Sequence, residues 1–309
     1  MGFRFSGHET FPCRYAWLPK AFAEIQETPD GLADDTAAMI SLGIGKNMVR
    51  SLRFWLQASG IATGRRDGTF QVTEFGSGIL GANGADPFLE DIRTLWLLHW
   101  QIATALPEPL FAWDFLLHKW PQPEFSRSSV MTAFRRESRA EGKKLSDVTL
   151  EQHFEVFLHT YVPTRARKGE VLEDNLDCPL VELELIQKVG ERGVGAEGGG
   201  REPVYAFRLA EKPDITPALF LFCLNDFWLK RRAKERTISL RDVTLAAGSP
   251  GQVLKLPEFA IRERLDRLEA DSSGLFSYRE SAALQQVTRS GELPASLLSR
   301  VYRREVVHA

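Results

Sequence analysis

The chain has 309 residues, 43% of them hydrophobic and 10% aromatic, with a formal net charge of -2. That length points to two or three domains, and the apolar content points to ordered cores rather than disorder. The near-neutral balance excludes a protein that coats nucleic acid by overall basicity, so a nucleic-acid site must be a local patch.

The N-terminal "FSGHETFPCR" is a dense run of His8, Glu9, Thr10, Cys13 and Arg14 between aromatics. Before a first helix, such a segment caps that helix or packs beneath it. A His-Glu pair beside an arginine can also do acid-base work on a phosphate, which makes His8 and Glu9 catalytic candidates. From Tyr15 to Ile25, the residues Trp17, Leu18, Ala21, Phe22 and Ile25 fall at helical spacing. Asp34 or Asp35 caps a short second helix that ends at Gly43. "GIGKNMVRSLRFWLQASG" then gives a third helix, with an apolar stripe of Met48, Val49, Leu52, Trp55 and Leu56. Its polar face carries Lys46, Asn47, Arg50 and Arg53. "IATGRRDGTFQVT" reads as a β-hairpin turning at Asp67-Gly68, and "TEFGSGIL" restarts a helix at Thr73 or Glu74.

Three helices, a hairpin and a further helix follow the order of a winged helix-turn-helix, whose third helix enters a major groove. Arg65 and Arg66 would sit at the wing tip. Ile44 to Arg66 holds five basic residues and no acid. Lys46, Asn47, Arg50, Arg53, Arg65 and Arg66 are therefore the expected contacts to duplex DNA. The competing expectation is a solvated helix face, or a winged helix used for protein docking or homodimerisation.

From Asp86 to about Lys168 the pattern is helical: "DPFLEDIRTLWLLHWQIATAL", "PLFAWDFLLHKW", "SRSSVMTAFRRESRAEGKK" and "TLEQHFEVFLHTYVP". His99, His118, His153 and His159 lie in these helices without the spacing of a helical zinc site, so packed or surface histidines are expected. "LVELELI" and "VYAFRL" read as strands around a Gly-rich loop, which lacks the lysine of a phosphate loop. "TPALFLFCLNDFWLKRRAKE" is a helix with a basic end, and Lys230, Arg231 and Arg232 form a second candidate DNA patch. A helix from Pro257 to Glu269 and the strands "LFSYRE" and "LQQVTR" outline a second winged helix. Its helix balances Arg262, Arg264 and Arg267 against four acids, the pattern of a solvated face.

Cys13, Cys178 and Cys223 have no zinc-knuckle spacing and an odd count, so reduced thiols in a cytoplasmic protein are expected. No apolar run reaches the roughly 18 residues that span a bilayer. No nucleophile elbow, phosphate loop or zinc motif is present. The best metal candidate is Glu173, Asp174 and Asp177, hard oxygen ligands that can hold Mg²⁺ or Mn²⁺ for phosphodiester hydrolysis. The alternative is a solvent-facing acidic turn. Asp174 and Asp177 therefore stand beside His8 and Glu9 as catalytic candidates, and no organic cofactor is expected.

"FSGHETFPCRYAWLPKA" followed by "LGIGKNMVRSLRFWLQA" closely resembles the domain-of-unknown-function 4007 family, found in bacterial DNA phosphorothioation gene clusters of the Ssp type. "LEDNLDCPLVELELI" also looks like a family block. The resemblance spans most of the chain. It implies a part in single-strand phosphorothioation and phage defence, as a DNA-nicking partner of a cysteine desulfurase, an ATPase and a sulfur-transfer enzyme. It assigns no catalytic residue.

The fold expected is mainly α: residues 1-84 as a winged helix-turn-helix, 85-168 as a helical middle domain, and 169-309 as an α/β winged-helix-like domain. The function expected is a DNA nickase, or a non-catalytic DNA-binding adaptor or regulator that recruits the modification enzymes.

Overall fold

The computed structural model describes residues 2-28, 30-140, 142, 145-163, 178-193, 200-281, 284-294 and 296-303. The N-terminal part runs α1 (Trp17–Glu27), α2 (Asp35–Leu42), α3 (Lys46–Ala58), β1 (Ala62–Gly64), β2 (Phe70–Val72) and α4 (Glu74–Leu80). Local chemistry sets these boundaries. Asp34 accepts the Ala37 N–H and caps α2, and Gly43 ends it with φ 66°. Asp67 accepts from the Thr69 backbone and hydroxyl, and Gly68 closes the hairpin turn with φ 86°. Thr73 caps α4 by accepting the Gly76 N–H. The five apolar residues of α1 named from the sequence are all buried.

The middle part holds α5 (Ile92–Ala103), α6 (Phe111–Asp114), a π-helical turn Phe115–Lys119, β3 (Glu124–Ser126), α7 (Arg127–Ala140) and α8 (Asp147–Tyr161). α5 starts later than its apolar run predicts. The Asp86 carboxylate accepts the Glu90 and Asp91 N–H groups, Leu89 takes φ 60°, and Asp91 caps the helix. Residues 86-91 are thus a capping loop.

After Cys178 the expected strand over "LVELELI" is instead a 3-10 turn, Pro179–Leu183. Leu180 and Leu183, three residues apart, both bury, which suits a turn packed against α5 and α8. Glu184 then takes φ 46° and releases the chain into β4 (Ile186–Gly193), which pairs with β5 (Arg201–Phe207). β3 joins them in the order β3-β5-β4, all antiparallel.

The C-terminal part runs α9 (Pro217–Arg231), β6 (Thr237–Ser239), α10 (Leu240–Leu245), α11 (Pro250–Leu254), α12 (Glu258–Asp266), α13 (Leu268–Asp271), β7 (Phe276–Glu280), β8 (Gln285–Arg289) and α14 (Leu297–Val301). The single helix expected from Pro257 to Glu269 is thus two, broken at Arg267. The sheet order is β6-β8-β7. Among the described residues the architecture is mainly α with three small antiparallel sheets. One apolar core runs through all three parts, with Trp55, Trp96, Trp100, Trp113 and Trp228 fully buried. Among the described residues no helix is long and apolar enough to cross a membrane.

Candidate nucleic-acid interface

α3 is strongly two-faced. Val49, Ser51, Leu52, Phe54, Trp55 and Leu56 bury, while Lys46, Asn47 and Arg50 are exposed. The helix is anchored beneath by the N-terminal loop: Ser51 Oγ and the Trp55 indole N–H both donate to the Phe11 carbonyl. A rigid helix with a cationic outer face results.

That face is not a field of free cations. Lys46 Nζ, Arg50 Nη2 and Arg53 Nη1 converge on the carboxylate of Asp35, at 3.4, 3.6 and 2.6 Å. The Arg53 hydrogen bond holds the Asp35 carboxyl below the usual carboxylate range. Arg53 is the most enclosed of the three, its side chain 17% exposed against 55% for Lys46 and 46% for Arg50. The sequence pointed to Asp34 or Asp35 as a helix cap. Asp34 takes that role, which leaves Asp35 free to reach across to α3. Acid-free counting along the chain missed it, because the acid comes from the preceding helix.

Arg65 and Arg66 are both exposed on the β1-β2 hairpin, with Arg65 Nη2 on Gln71 Oε1 at 2.8 Å. The second basic run is placed differently. Lys230 Nζ lies 2.8 Å from Asp226, and Arg232 Nη2 lies 3.3 Å from Asp242. Arg231 is half-buried against Gly248, where burial lowers its pKa and nearby Asp114 opposes that shift. Each of the three has an acid at hand.

In the N-terminal segment, His8 is buried and its Nε2 stands 2.9 Å from Nδ1 of His153. Burial is the main reason its pKa falls to about 4, with Arg4 adding to the effect. Arg14 lies over the Phe11 and Trp17 rings, 5.7 and 5.5 Å from their centroids. The His-Glu-Arg grouping expected from the sequence is therefore not assembled, because the imidazole turns into the core. Glu9 and Thr10 follow on left-handed backbone, φ 47° and 67°.

Among the described residues His99 and His153 are packed in the interior, His118 is half-buried and His159 is superficial. His99 bonds the Tyr161 hydroxyl and the Val253 carbonyl, and His118 bonds the Ala103 carbonyl. His159 lies at the surface 3.9 Å from Glu155. All three cysteines are free and buried. Among the described residues no three His, Cys, Asp or Glu side chains converge on a point that would hold a metal ion. Among the described residues Asp86 is the most enclosed acid, and both its oxygens are taken by backbone N–H groups. Glu173, Asp174 and Asp177 lie outside the described residues.

The geometry defines a mainly helical protein that presents a cationic helix and a basic hairpin on a slightly acidic chain. It belongs to the DUF4007 family: the family model described as "Protein of unknown function (DUF4007)" matches residues 5–302. Two solved structures are similar. One, "Magnesium ion-bound SspB crystal structure", is 25% identical, covers 97% of this chain and 86% of that chain, and superposes with a TM-score of 0.80. The other, "SspB crystal structure", has the same identity and coverage and a TM-score of 0.79. No curated protein matches the chain.

Proposed function

We propose that this protein is a DNA-binding component of an Ssp-type phosphorothioation system, in which it nicks one strand of duplex DNA. Family membership and the likeness to SspB support the system. The observation that carries DNA binding is the exposed face of Lys46, Asn47 and Arg50 on α3 beside Arg65 and Arg66 on the hairpin. In this reading α1 to α4 with β1-β2 work as a winged helix-turn-helix, α3 in the major groove and the hairpin on the backbone. The sheet order β6-β8-β7 around α10 and α12 fits a second winged-helix unit. Its Arg262 is held by Glu258 and Glu280, which suits structure or docking better than DNA contact.

For the cut, we place a divalent cation, Mg²⁺ or Mn²⁺, on the acidic run with Asp174 and Asp177, the hard-ligand candidates in the chain. Such an ion supplies charge stabilisation at the leaving oxygen. The relative bound to magnesium supports that class of ion. Glu9, half-buried on left-handed backbone, is the remaining acid candidate; His8 serves as a packed support. Partners in this reading are the cysteine desulfurase, the ATPase and the sulfur-transfer enzyme of the system, in a cytoplasmic setting.

The test is relaxation of supercoiled plasmid by purified protein with Mg²⁺, Mn²⁺ or chelator. Open-circle product that chelator abolishes, and that Asp174→Asn with Asp177→Asn removes, supports the nickase. Gel-shift without relaxation, alone and with the partner proteins, supports a second reading: a non-catalytic adaptor that places the modification enzymes. The burial of His8 favours that second reading, because it removes one sequence candidate for the chemistry.

A further inference from the structure

Asp35 sits at the meeting point of three cations of α3. Lys46, Arg50 and Arg53 are spaced four and three residues apart, so they share one face of α3. Two of them reach the same carboxylate oxygen, Oδ2, at 3.4 and 3.6 Å, and the third takes Oδ1 at 2.6 Å. A carboxylate and a phosphodiester are both two-oxygen anions of unit charge, and both suit guanidinium and ammonium donors. We propose that Asp35 is an internal stand-in for a backbone phosphate: it occupies the cation cradle of α3 in the free protein and yields Lys46 and Arg50 to duplex DNA. The proposal rests on the DNA-binding reading of α3 given above.

The distances divide the cradle into a fixed part and a movable part. Arg53 is enclosed and in close contact, and its Nε and Nη2 are buried without a partner. It stays with Asp35. Lys46 and Arg50 are about half exposed and make the longer contacts, at 3.4 and 3.6 Å. Pairs of that kind are weak and exchange readily. Three cations against one acid leave the cradle net positive, so a phosphate is still attracted. The acid nevertheless lowers the yield of each weak encounter, since it repels the incoming phosphate and holds the cations back. A duplex that engages the hairpin arginines as well supplies enough contacts to draw Lys46 and Arg50 away. Asp35 thereby sets a threshold against loose backbone binding.

The experiment is duplex affinity against salt concentration for wild type, Asp35→Asn and Asp35→Ser, each checked for wild-type secondary structure. Removal of the acid is expected to tighten binding by about tenfold at fixed salt. It is also expected to steepen the slope of log K against log salt by about one, the value for one further phosphate neutralised. Equal affinity and slope in folded Asp35 variants, with clear wild-type binding, overturn the stand-in and leave the DNA reading intact. Absence of duplex binding by all three proteins at low salt overturns the DNA reading, and the stand-in with it.

Discussion

His8 and His153, 145 positions apart, meet ring nitrogen to ring nitrogen at 2.9 Å, with ring centroids 5.1 Å apart and planes tilted by only 20°. The Thr10 N–H donates to His8 Nδ1, so the His8 proton lies on Nε2 and points at His153 Nδ1. His153 must then carry its own proton on Nε2, an atom that is buried and has no hydrogen-bond partner. The pair is a neutral chain fixed by one backbone N–H. It pins the N-terminal loop to α8, and through Phe54, edge-on to His8, to α3.

Such a pair makes the fold acid-sensitive. Burial holds His8 down to about 4, and it holds His99 to about 4 and His118 to about 3. A histidine that is neutral when folded and charged when unfolded binds fewer protons in the native state. Its stabilising effect is complete above the unfolded pKa of about 6.5 and is lost as pH falls toward 4. Unfolding free energy should therefore drop steeply between those values, by up to about 3 kcal/mol for each such group. Urea titrations at stepped pH measure it. In His8→Gln the acid limb should be shallower, whereas a wild-type curve flat from pH 6.5 to 4.5 would contradict the neutral pair.

Glu202 presents the opposite sign. Its carboxylate accepts from the Ser126 and Ser128 hydroxyls at 2.6 Å, from the Ser128 N–H at 3.0 Å and from Arg192 at 2.8 Å. It caps the N-terminus of α7 from strand β5. Although its partial burial works the other way, the hydroxyls, Arg192 and the backbone N–H together lower its pKa to about 2. The contribution is present above the unfolded value of about 4.5 and is lost as pH falls through about 2. Glu202→Gln should destabilise by about 1–3 kcal/mol, as expected for loss of hydrogen bonds to a charged group. Thermal melts at pH 7 provide the check; an unchanged melting temperature would show that the cap is dispensable.

The basic residues of α3 should separate into two kinds. Lys46→Ala and Arg50→Ala, at exposed positions, should each reduce the salt slope of duplex binding by about 0.9 with little effect on stability. Arg53→Ala, at an enclosed position bonded to Asp35, should lower stability by about 1–2 kcal/mol. Paired melting and binding curves for the three variants decide it. Equal loss of DNA affinity with no loss of stability in all three would refute the division.

The contact between the hairpin and α4 depends on a missing side chain. A Cβ at Gly76 would stand 2.2 Å from the Ile61 carbonyl oxygen, a backbone atom that cannot swing aside. Gly76→Ala should destabilise by about 2–4 kcal/mol through overpacking. Gly190→Ala, where nothing lies within 4 Å, is the matched control and should remain near wild type. A tolerated Gly76→Ala would mean that α4 can lift from the hairpin without cost.

Much of the N-terminal architecture was legible because its information is local. Helical spacing located α1 and α3, Thr73 and Gly43 marked helix ends, and Asp67-Gly68 located a turn, all within a few residues of the elements they specify. Where a long-range partner competed, local reading failed. The run from Asp86 lost its first turn to a carboxylate that binds backbone, and "LVELELI" became a 3-10 turn because Leu180 and Leu183 bury together.

The candidate site divides in the same way. By itself the sequence determined that a cationic helix face and a basic hairpin exist, since periodicity and residue type fix which side chains share a face. Only the tertiary structure decided what those charges meet: Asp35 across from α3, Asp226 and Asp242 beside the second basic run, and His153 against His8. A Coulomb interaction or hydrogen bond depends on distance in space, and nothing in a linear spacing of 18 or 145 residues announces a separation of 2.6 or 2.9 Å.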